Sequence, residues 1–260
     1  MITSAQDLAT PRQDRLREFV RQRGVVRVEE IVQELGISPA TARRDLDTLE
    51  QTGRIRRVHG GAMSVETRLD EPLFDDKAGV RAREKRRIAE AAAGLIAAGE
   101  TIYLDGGSTV LELARVLADR TDITVVTNSL RAAVELSGRG PQLIVIGGEL
   151  RRRSQTVVGA LTRLPLEHLQ FTKAFMGTMG LSVTRGLTTT DPSEAYTKEL
   201  VMQRAREVVL LVDSSKIGQD SVVRAGALAD VDTLVTDSGL TPRQERELRK
   251  AHKRLHLVKA

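Results

Sequence analysis

A break of three residues, Gly36-Ile37-Ser38, separates two short segments that each carry one apolar helix face. Glycine at position 36 suits the left-handed C-cap of a helix, and Ser38 followed by Pro39 is typical of a helix N-terminus. The apolar face of the earlier segment is formed by Val28, Ile31, Val32 and Leu35, and that of the later segment by Ala42, Leu46 and Leu49. Two helices joined by so short a break predict a helix-turn-helix motif.

The flanking sequence extends this motif to a winged helix-turn-helix domain over residues 10–62. Upstream, Leu16, Phe19 and Val20 share one face of a further predicted helix over residues 12–22. Downstream, the segment RIRRVHGGA alternates apolar and charged residues before a Gly-Gly pair, which favours a short two-stranded hairpin.

The helix that begins at Pro39 has the polar side chains of a recognition helix. Thr41, Arg43 and Arg44 face away from its apolar side near the N-terminal end, which such helices present to the major groove. Arginine can donate two hydrogen bonds to guanine, and the arginines of the hairpin suit phosphates. The predicted DNA-contacting residues are Ser38, Thr41, Arg43, Arg44, Arg54, Arg56, Arg57 and His59.

The alternative is a charged helix face that is merely solvated. It stays open because the excess of basic over acidic residues within positions 12–59 is small. Asp45 lies on the core side of the arginine pair, so we expect it to pair with an arginine rather than to contact a base.

Bulk composition restricts the class of protein. The chain has 260 residues, a net charge of +5 and no cysteine, which excludes disulfides and cysteine-based metal sites and favours an intracellular protein. No apolar run approaches the ~18 residues of a membrane span. We therefore expect a soluble cytoplasmic protein without a membrane partner. Residues 63–84 are charged, contain Pro72 and Gly79, and are predicted to be a linker.

Residues 85–260 alternate short apolar runs with helical segments, which predicts an α/β domain with a mostly parallel, doubly wound sheet. The expected strands are 102–104, 123–126, 143–146, 174–176, 208–212, 233–235 and 255–258, and the expected helices are 87–98, 110–118, 130–137, 193–205 and 242–252. Because ligands of such sheets bind beyond the carboxyl ends of the strands, we expect the binding residues to follow the apolar runs.

Small and polar residues do follow these runs. The segment Asp105-Gly106-Gly107-Ser108-Thr109 precedes a helix and resembles a phosphate-binding turn, although an ordinary strand-to-helix turn would have the same composition. Two lysines could neutralise a phosphate or could simply be solvated. The predicted ligand-binding residues are Asp105, Gly106, Gly107, Ser108, Thr109, Thr127, Asn128, Ser129, Gly147, Gly148, Glu149, Thr188, Lys198 and Lys216. Together they favour a polyhydroxylated, phosphorylated small molecule.

Seven segments resemble the DeoR family of bacterial transcriptional regulators. They are RQDRLREFV, SPATARRDLDTLEQTGRIRRVHGGA, YLDGGSTVLELA, VVTNS, VIGGEL, GLTTTDPSEAYTKELV and VVLLVDSSKIG. The resemblance implies a repressor of sugar-metabolism genes, with a winged helix-turn-helix followed by a sugar-phosphate sensor whose fold is similar to ribose-5-phosphate isomerase. We further expect operator DNA as a partner and a homo-oligomer, either a dimer or a tetramer, that presents two or more winged helices to operator half-sites.

A sugar-phosphate isomerase is the rival hypothesis, because aldose–ketose isomerisation needs a carboxylate that moves a proton. At the positions that match the acids of such isomerases, this sequence has Met176 and Met179. Asp105 and Asp213 remain, but each can hold sugar hydroxyls or loop backbone instead. We therefore expect a sensor without catalytic residues, metal or cofactor.

Overall fold

The computed structural model describes residues 9–23, 25–52, 54–58, 61–64, 73–138, 140–251 and 254–259. The chain divides into two compact units, Met1–Asp70 and Glu71–Ala260. Among the described residues, no helix has both the length and the apolar character needed to cross a membrane.

The first unit is a winged helix-turn-helix. Its elements are α1 (Ala9–Arg23), β1 (Val25–Arg27), α2 (Val28–Leu35), α3 (Pro39–Gln51), β2 (Ile55–Val58) and β3 (Gly61–Ser64). Gly36 has a φ of 64° and caps α2, while Ser38 accepts a hydrogen bond from the Thr41 amide and caps α3. The predicted break and both helix boundaries beside it are therefore confirmed.

The wing differs from the sequence prediction in one respect. Strand β1 pairs with β3, so the hairpin is part of a three-stranded antiparallel sheet in the order β1-β3-β2. The predicted apolar faces all meet in one core, which includes Leu16, Ile31, Leu46 and Ile55. A strand of three residues between two helices gives no periodic signal, because its pairing depends on β3, which lies far along the chain.

The second unit is an α/β domain. Its helices are α4 (Phe74–Gly79), α5 (Ala82–Ala93), α6 (Ser108–Val116), α7 (Leu130–Leu136), α8 (Arg163–Glu167), α9 (Pro192–Arg204) and α10 (Pro242–Ala251). Its strands are β4 (Thr101–Leu104), β5 (Thr124–Thr127), β6 (Gln142–Val145), β7 (Glu149–Arg151), β8 (Thr156–Val158), β9 (Phe171–Met176), β10 (Gly180–Ser182), β11 (Gly186–Thr189), β12 (Ala205–Leu211), β13 (Val223–Gly226), β14 (Thr233–Asp237) and β15 (Leu255–Val258).

Seven of these strands form one parallel sheet in the order β15-β14-β12-β9-β4-β5-β6. Successive residues of a strand point to opposite faces, and the sheet buries both. Ile102 and Leu104 pack into the core that contains α5, α6 and α7, whereas Tyr103 packs into the opposite core with α9. The doubly wound sheet predicted from the sequence is thus confirmed.

The strand order reverses between β4 and β9. From β4 the chain proceeds outward to β5 and β6, and it then returns to place β9 on the other side of β4. Loops that leave two such neighbouring strands diverge, which opens a crevice at the switch point. The site described below lies there.

Two antiparallel additions were not predicted from the sequence. One is the hairpin β7-β8, and the other is the small sheet β10-β11-β13. Their strands are three or four residues long, too short for a periodic pattern to identify them.

The compact units of the structure divide the chain at other positions than the predicted domains 10–62 and 85–260. The first unit extends past residue 62, because β3 continues to Ser64. The segment predicted as a linker, 63–84, contains the end of β3, which belongs to the first unit, and α4 and the start of α5, which belong to the second. Phe74 is buried in the core of that unit, so burial of its aromatic ring anchors α4 although the surrounding residues are charged.

Candidate functional site

The N-terminal half of α3 exposes the predicted recognition residues. Arg43 and Arg44 are both exposed, and neither makes an ion pair with any residue in the described part of the chain. The hydroxyl groups of Ser38 and Thr41 form a hydrogen bond of 2.9 Å. The Ser38 hydroxyl also accepts the hydrogen bond from the Thr41 amide that caps the helix. The structure therefore presents two guanidinium groups on a helix end whose start is fixed by a capping hydrogen bond.

The hairpin arginines have different surroundings. Arg54 is exposed and lies 3.7 Å from Asp14, whereas Arg57 is half-buried and lies 3.5 Å from Asp47 on α3. The Arg57 amide also donates to Glu50 at 2.9 Å, so this residue links the wing to α3. His59 and the side chain of Arg56 lie outside the described parts of the structure.

Asp45 is buried and faces α1. This residue is 2% exposed, and its carboxylate accepts two hydrogen bonds from Arg12, at 2.5 and 2.9 Å, and one from Gln13. The hydrogen bond to Asp45 raises the pKa of Arg12. The prediction that Asp45 pairs with an arginine is confirmed, and the pair links α1 to α3.

In the second unit, a cleft that is partly open to solvent lies at the switch point. It is bordered by the ends of β4, β9 and β12 and by the first turns of α6 and α9. The lining residues are Phe74, Lys77, Gly106, Gly107, Ser108, Thr109, Val110, Ser154, Gly177, Thr178, Met179, Thr189, Glu194, Lys198, Leu211 and Lys216.

A buried ion pair holds the floor of this cleft. The ammonium of Lys198 on α9 donates to the carboxylate of Asp105, which follows β4, and to the carbonyl of Gly177, which follows β9, at 3.1 Å. The Gly177 amide donates to the same carboxylate at 2.9 Å. Asp105 therefore connects the two strands at the switch point, and its role is to organise the cleft rather than to line it.

The start of α6 forms one wall. Gly107 has a φ of 132°, which strongly favours glycine, and Ser108 and Thr109 begin the helix. The first amide groups of a helix have no intrahelical acceptor, so they and the helix dipole favour an anion. Gly106 serves packing instead, because a Cβ there would lie 2.1 Å from Thr156 Cγ2 in β8.

Two further lysines reach the loop that follows β9. Lys216 donates to the carbonyl of Thr178 at 3.0 Å, and the Nζ of Lys77 on α4 lies 3.9 Å from the sulfur of Met179. Burial is the largest of the causes that lower the pKa of Lys216 to about 8. The neighbouring charges of Lys77 and Lys198 act on this pKa in the same direction, while Asp213 opposes them. The clustered ammonium groups give this part of the cleft a positive charge, which favours an anion.

One carboxylate also lines the cleft. Glu194 on α9 is 7% exposed, and its Oε2 accepts a hydrogen bond from Thr189 at 2.7 Å and lies 3.8 Å from Arg151. Arg151 also contacts Asp191, which caps α9. Glu194 was missed in the sequence because a glutamate in the first turn of a helix is ordinarily a capping residue.

The cleft brings together six of the predicted ligand-binding residues and leaves the others outside its lining. Gly106, Gly107, Ser108, Thr109, Lys198 and Lys216 line it, and Asp105 lies beneath it. Thr127, Asn128, Ser129, Gly147, Gly148, Glu149 and Thr188 are not among the lining residues. The prediction of a ligand contact at these seven positions is therefore not supported by the structure.

The loop after β5 binds the β7-β8 hairpin instead. The Thr127 hydroxyl donates to the Leu104 carbonyl at 2.7 Å, and the side chain of Asn128 donates to the Val157 carbonyl at 2.9 Å. Ser129 caps α7 by accepting from the Ala132 amide. All three side chains are buried, and each makes a hydrogen bond to a backbone group inside the unit, while the Oδ1 atom of Asn128 has no partner among the described residues.

The other predicted residues that do not line the cleft are explained by the position of their strand in the sheet and by the alternation of side chains along a strand. Gly147–Glu149 are exposed and lead from β6, the strand at the sheet edge, into β7. Thr188 and Thr189 are neighbours on β11 and point to opposite faces. The Thr188 hydroxyl donates to the Gly180 carbonyl at 3.1 Å, so it is Thr189 that lines the cleft.

The residues missed in the sequence come from elements whose position depends on tertiary contacts. Phe74 and Lys77 lie on α4 within the predicted linker, and Ser154 lies at the tip of the hairpin. The Phe74 amide donates to the Arg153 carbonyl, which places α4 beside the hairpin tip.

A winged helix-turn-helix joined to a second unit with a polar cleft at the switch point of a parallel sheet defines a DNA-binding regulator with a sensor domain. Comparison with protein families agrees with this class. The DeoR-like helix-turn-helix domain matches residues 12–68, and the DeoR C terminal sensor domain matches residues 80–238. The chain belongs to the DeoR family of transcriptional regulators.

The relatives of the chain are similar over nearly their whole length. The HTH-type transcriptional regulator GlpR of Haloferax volcanii is 37% identical over 94% of this chain and 96% of its own. The glycerol-3-phosphate regulon repressor of Escherichia coli K12 is 34% identical over 88% of this chain and 91% of its own. Among solved structures, ribose 5-phosphate isomerase A of Methanocaldococcus jannaschii aligns with a TM-score of 0.39 and 22% identity over 51% of this chain and 53% of its own.

Proposed function

We propose that this regulator represses genes of carbohydrate metabolism and that a phosphorylated sugar in the switch-point cleft controls its binding to operator DNA. The observation that carries the proposal is the meeting of the α6 N-terminus with Lys77 and Lys216 in one cleft. A helix N-terminus and ammonium groups are among the groups that bind phosphate in proteins. The Escherichia coli relative is named as the repressor of a glycerol-3-phosphate regulon, which supports the same class of effector.

The DNA-binding surface in this proposal is the exposed end of α3. Arg43 and Arg44 contact base edges in the major groove, and Thr41 contacts a neighbouring base or phosphate. Arg54, Arg56, Arg57 and His59 are proposed to contact phosphates around the wing. A homo-oligomer, either a dimer or a tetramer, would present two such units to half-sites that are related by two-fold symmetry.

We propose that the cleft senses its ligand without converting it. Asp105 is engaged by Lys198 and the Gly177 amide, and Glu194 is engaged by Thr189, so both carboxylates have structural partners. Met176 is buried and Met179 lines the cleft, and a thioether cannot transfer a proton. Glu194 is the feature that favours the rival isomerase. If the protein converts ribose 5-phosphate at enzymatic rates, the isomerase hypothesis is correct and the sensor hypothesis is wrong.

The test uses the full chain and a duplex that it selects from a random-sequence pool. Sugar phosphates are screened by thermal shift, and those that bind are added to the protein–duplex complex while fluorescence anisotropy is recorded. We expect at least one phosphorylated sugar to stabilise the protein and to change duplex affinity, whereas the unphosphorylated sugar does neither. A reporter with the selected duplex placed after its promoter shows whether binding represses.

Two variants locate the site. Thr109→Glu places a carboxylate at the α6 N-terminus, and Lys77→Gln removes a cation, so both should abolish the response to the ligand and keep duplex binding. The matched controls are Val116→Glu on the exposed side of α6 and Lys250→Gln on the exposed side of α10. A normal response in both Thr109→Glu and Lys77→Gln would reject the cleft as the sensor site.

A further inference from the structure

The cleft has ammonium groups at one place and a carboxylate at another, and this separation of charge affects which phosphorylated ligands it can bind. Lys77 and Lys216 both approach the Thr178–Met179 segment, at 3.9 Å from the Met179 sulfur and 3.0 Å from the Thr178 carbonyl. The carboxylate of Glu194 lines the same cleft from α9 and is fixed by the Thr189 hydroxyl at 2.7 Å. A ligand that fills the cleft therefore meets ammonium groups and a carboxylate at once.

The Glu194 carboxylate is held in place rather than left to move away from a ligand. Thr189 and Arg151 both contact Oε2, and the side chain is almost fully buried. A fixed carboxylate accepts hydrogen bonds from hydroxyl groups and repels a second phosphate or a carboxylate. Screening by water is weak at a buried position, although the guanidinium of Arg151, 3.8 Å from Oε2, offsets part of the repulsion.

We propose that Glu194 selects ligands with one phosphate and a neutral, hydroxylated remainder, and discriminates against bisphosphates and phosphorylated sugar acids. The phosphate lies by the α6 N-terminus, Lys77 and Lys216, and a ligand hydroxyl donates to Glu194. This selectivity rests on the proposed function, since it assumes that the cleft binds a phosphorylated sugar.

Matched pairs of ligands test the proposal even while the natural sugar is unidentified. Glycerol 3-phosphate has a primary alcohol where 3-phosphoglycerate has a carboxylate. Sorbitol 6-phosphate and 6-phosphogluconate differ in the same way. Fructose 6-phosphate and fructose 1,6-bisphosphate differ in a second phosphate. Titration calorimetry on the full chain measures all six compounds and inorganic phosphate, with the wild type, Glu194→Gln and Glu199→Gln. Glu199 is exposed on the same helix, so its variant makes the same charge change outside the cleft.

In each pair that binds, we expect the wild type and Glu199→Gln to favour the less charged member by at least tenfold. Glu194→Gln keeps an acceptor for Thr189 and should reduce this ratio to less than about threefold, with a melting temperature close to that of the wild type. Equal affinities within the pairs in the wild type, or an unchanged ratio in Glu194→Gln, would overturn the role of Glu194 and leave the proposed function intact. If neither inorganic phosphate, nor the six compounds, nor any phosphorylated sugar of the thermal-shift screen binds, the proposed function fails, and the selectivity fails with it.

Discussion

The ammonium group of Lys198 contacts the carboxylate of Asp105, and both side chains are buried at the point where the strand order of the parallel sheet reverses. Lys198 belongs to α9 and Asp105 follows β4, so one ion pair joins a helix to the sheet beneath the cleft. The Gly177 amide and carbonyl complete its hydrogen bonds.

Removal of one partner should destabilise the second unit more than removal of both. Lys198→Met or Asp105→Asn leaves an uncompensated buried group, and breaking a buried pair in this way costs about 3–5 kcal/mol. The double variant leaves no unpaired charge and should lose less than the sum of the single losses. Urea unfolding of the four proteins measures this coupling. Additive losses would show that the pair does not act as a unit.

Gly106→Ala should weaken the attachment of the β7-β8 hairpin. The new Cβ would lie 2.1 Å from Thr156 Cγ2, and relief of such overpacking typically costs about 1–3 kcal/mol. Thr156→Ser removes that methyl group and keeps the hydroxyl that meets Ser154 at 2.7 Å, so the double variant should recover most of the loss. Gly138→Ala is the control, because a Cβ there meets no atom within 4 Å. Chemical denaturation is the measurement, and no rescue by Thr156→Ser would contradict the packing argument.

Phosphate binding should weaken as the pH rises through the pKa of Lys216. Lys216 has a pKa of about 8 in the free protein, and a bound dianion favours its charged form and raises that pKa. The affinity is therefore greatest below pH 8 and falls above it by up to about tenfold per pH unit, until the pKa of the complex is reached. Calorimetry between pH 7 and 9.5 avoids the phosphate titration near pH 6. Lys216→Met should bind more weakly and show a flatter profile, and a wild-type affinity independent of pH would contradict the assignment.

The exposed arginines of α3 should determine operator affinity. Arg43→Ala or Arg44→Ala should lose about 1–3 kcal/mol of binding free energy if the side chain contacts a base, with the loss largest for duplexes that retain the contacted base. Both residues are exposed, so thermal stability should not change. Arg249→Ala on α10 removes the same charge from an exposed position in the second unit. Fluorescence anisotropy with the selected duplex compares the three variants, and wild-type affinity in both α3 variants would reject the recognition-helix assignment.

Asp45→Ala should lower the stability of the first unit without direct loss of a DNA contact. The carboxylate accepts hydrogen bonds from Arg12 and Gln13 across α1 and α3, and hydrogen bonds to a charged group are worth about 1.5–3 kcal/mol. We expect the lower part of this range, because Arg12 is 31% exposed and partly screened by water. Operator affinity measured well below the melting temperature should stay within about threefold of the wild type. A larger loss at full folding would indicate that Asp45 takes part in recognition.

The sequence by itself determined the elements that have a local signal. Gly36, Ser38 and Pro39 fixed the helix-turn-helix break because caps depend on nearest neighbours, and the alternation of apolar runs with helices indicated the doubly wound sheet. The sequence also singled out the turn from Gly106 to Thr109, Lys198 and Lys216, which line the cleft, because polar residues at strand and helix ends stand out against apolar runs.

The tertiary structure decided which strand ends meet. The strand order places β4 beside β9, so the loops after these strands open into a cleft, whereas the loop after β5 is occupied by the β7-β8 hairpin. Similar polar segments, such as Asp105–Thr109 and Thr127–Ser129, thus have different roles because of pairings between residues far apart in the chain. The packing of α4 and α9 brought Lys77 and Glu194 into the cleft, and no periodicity within these helices contains that information.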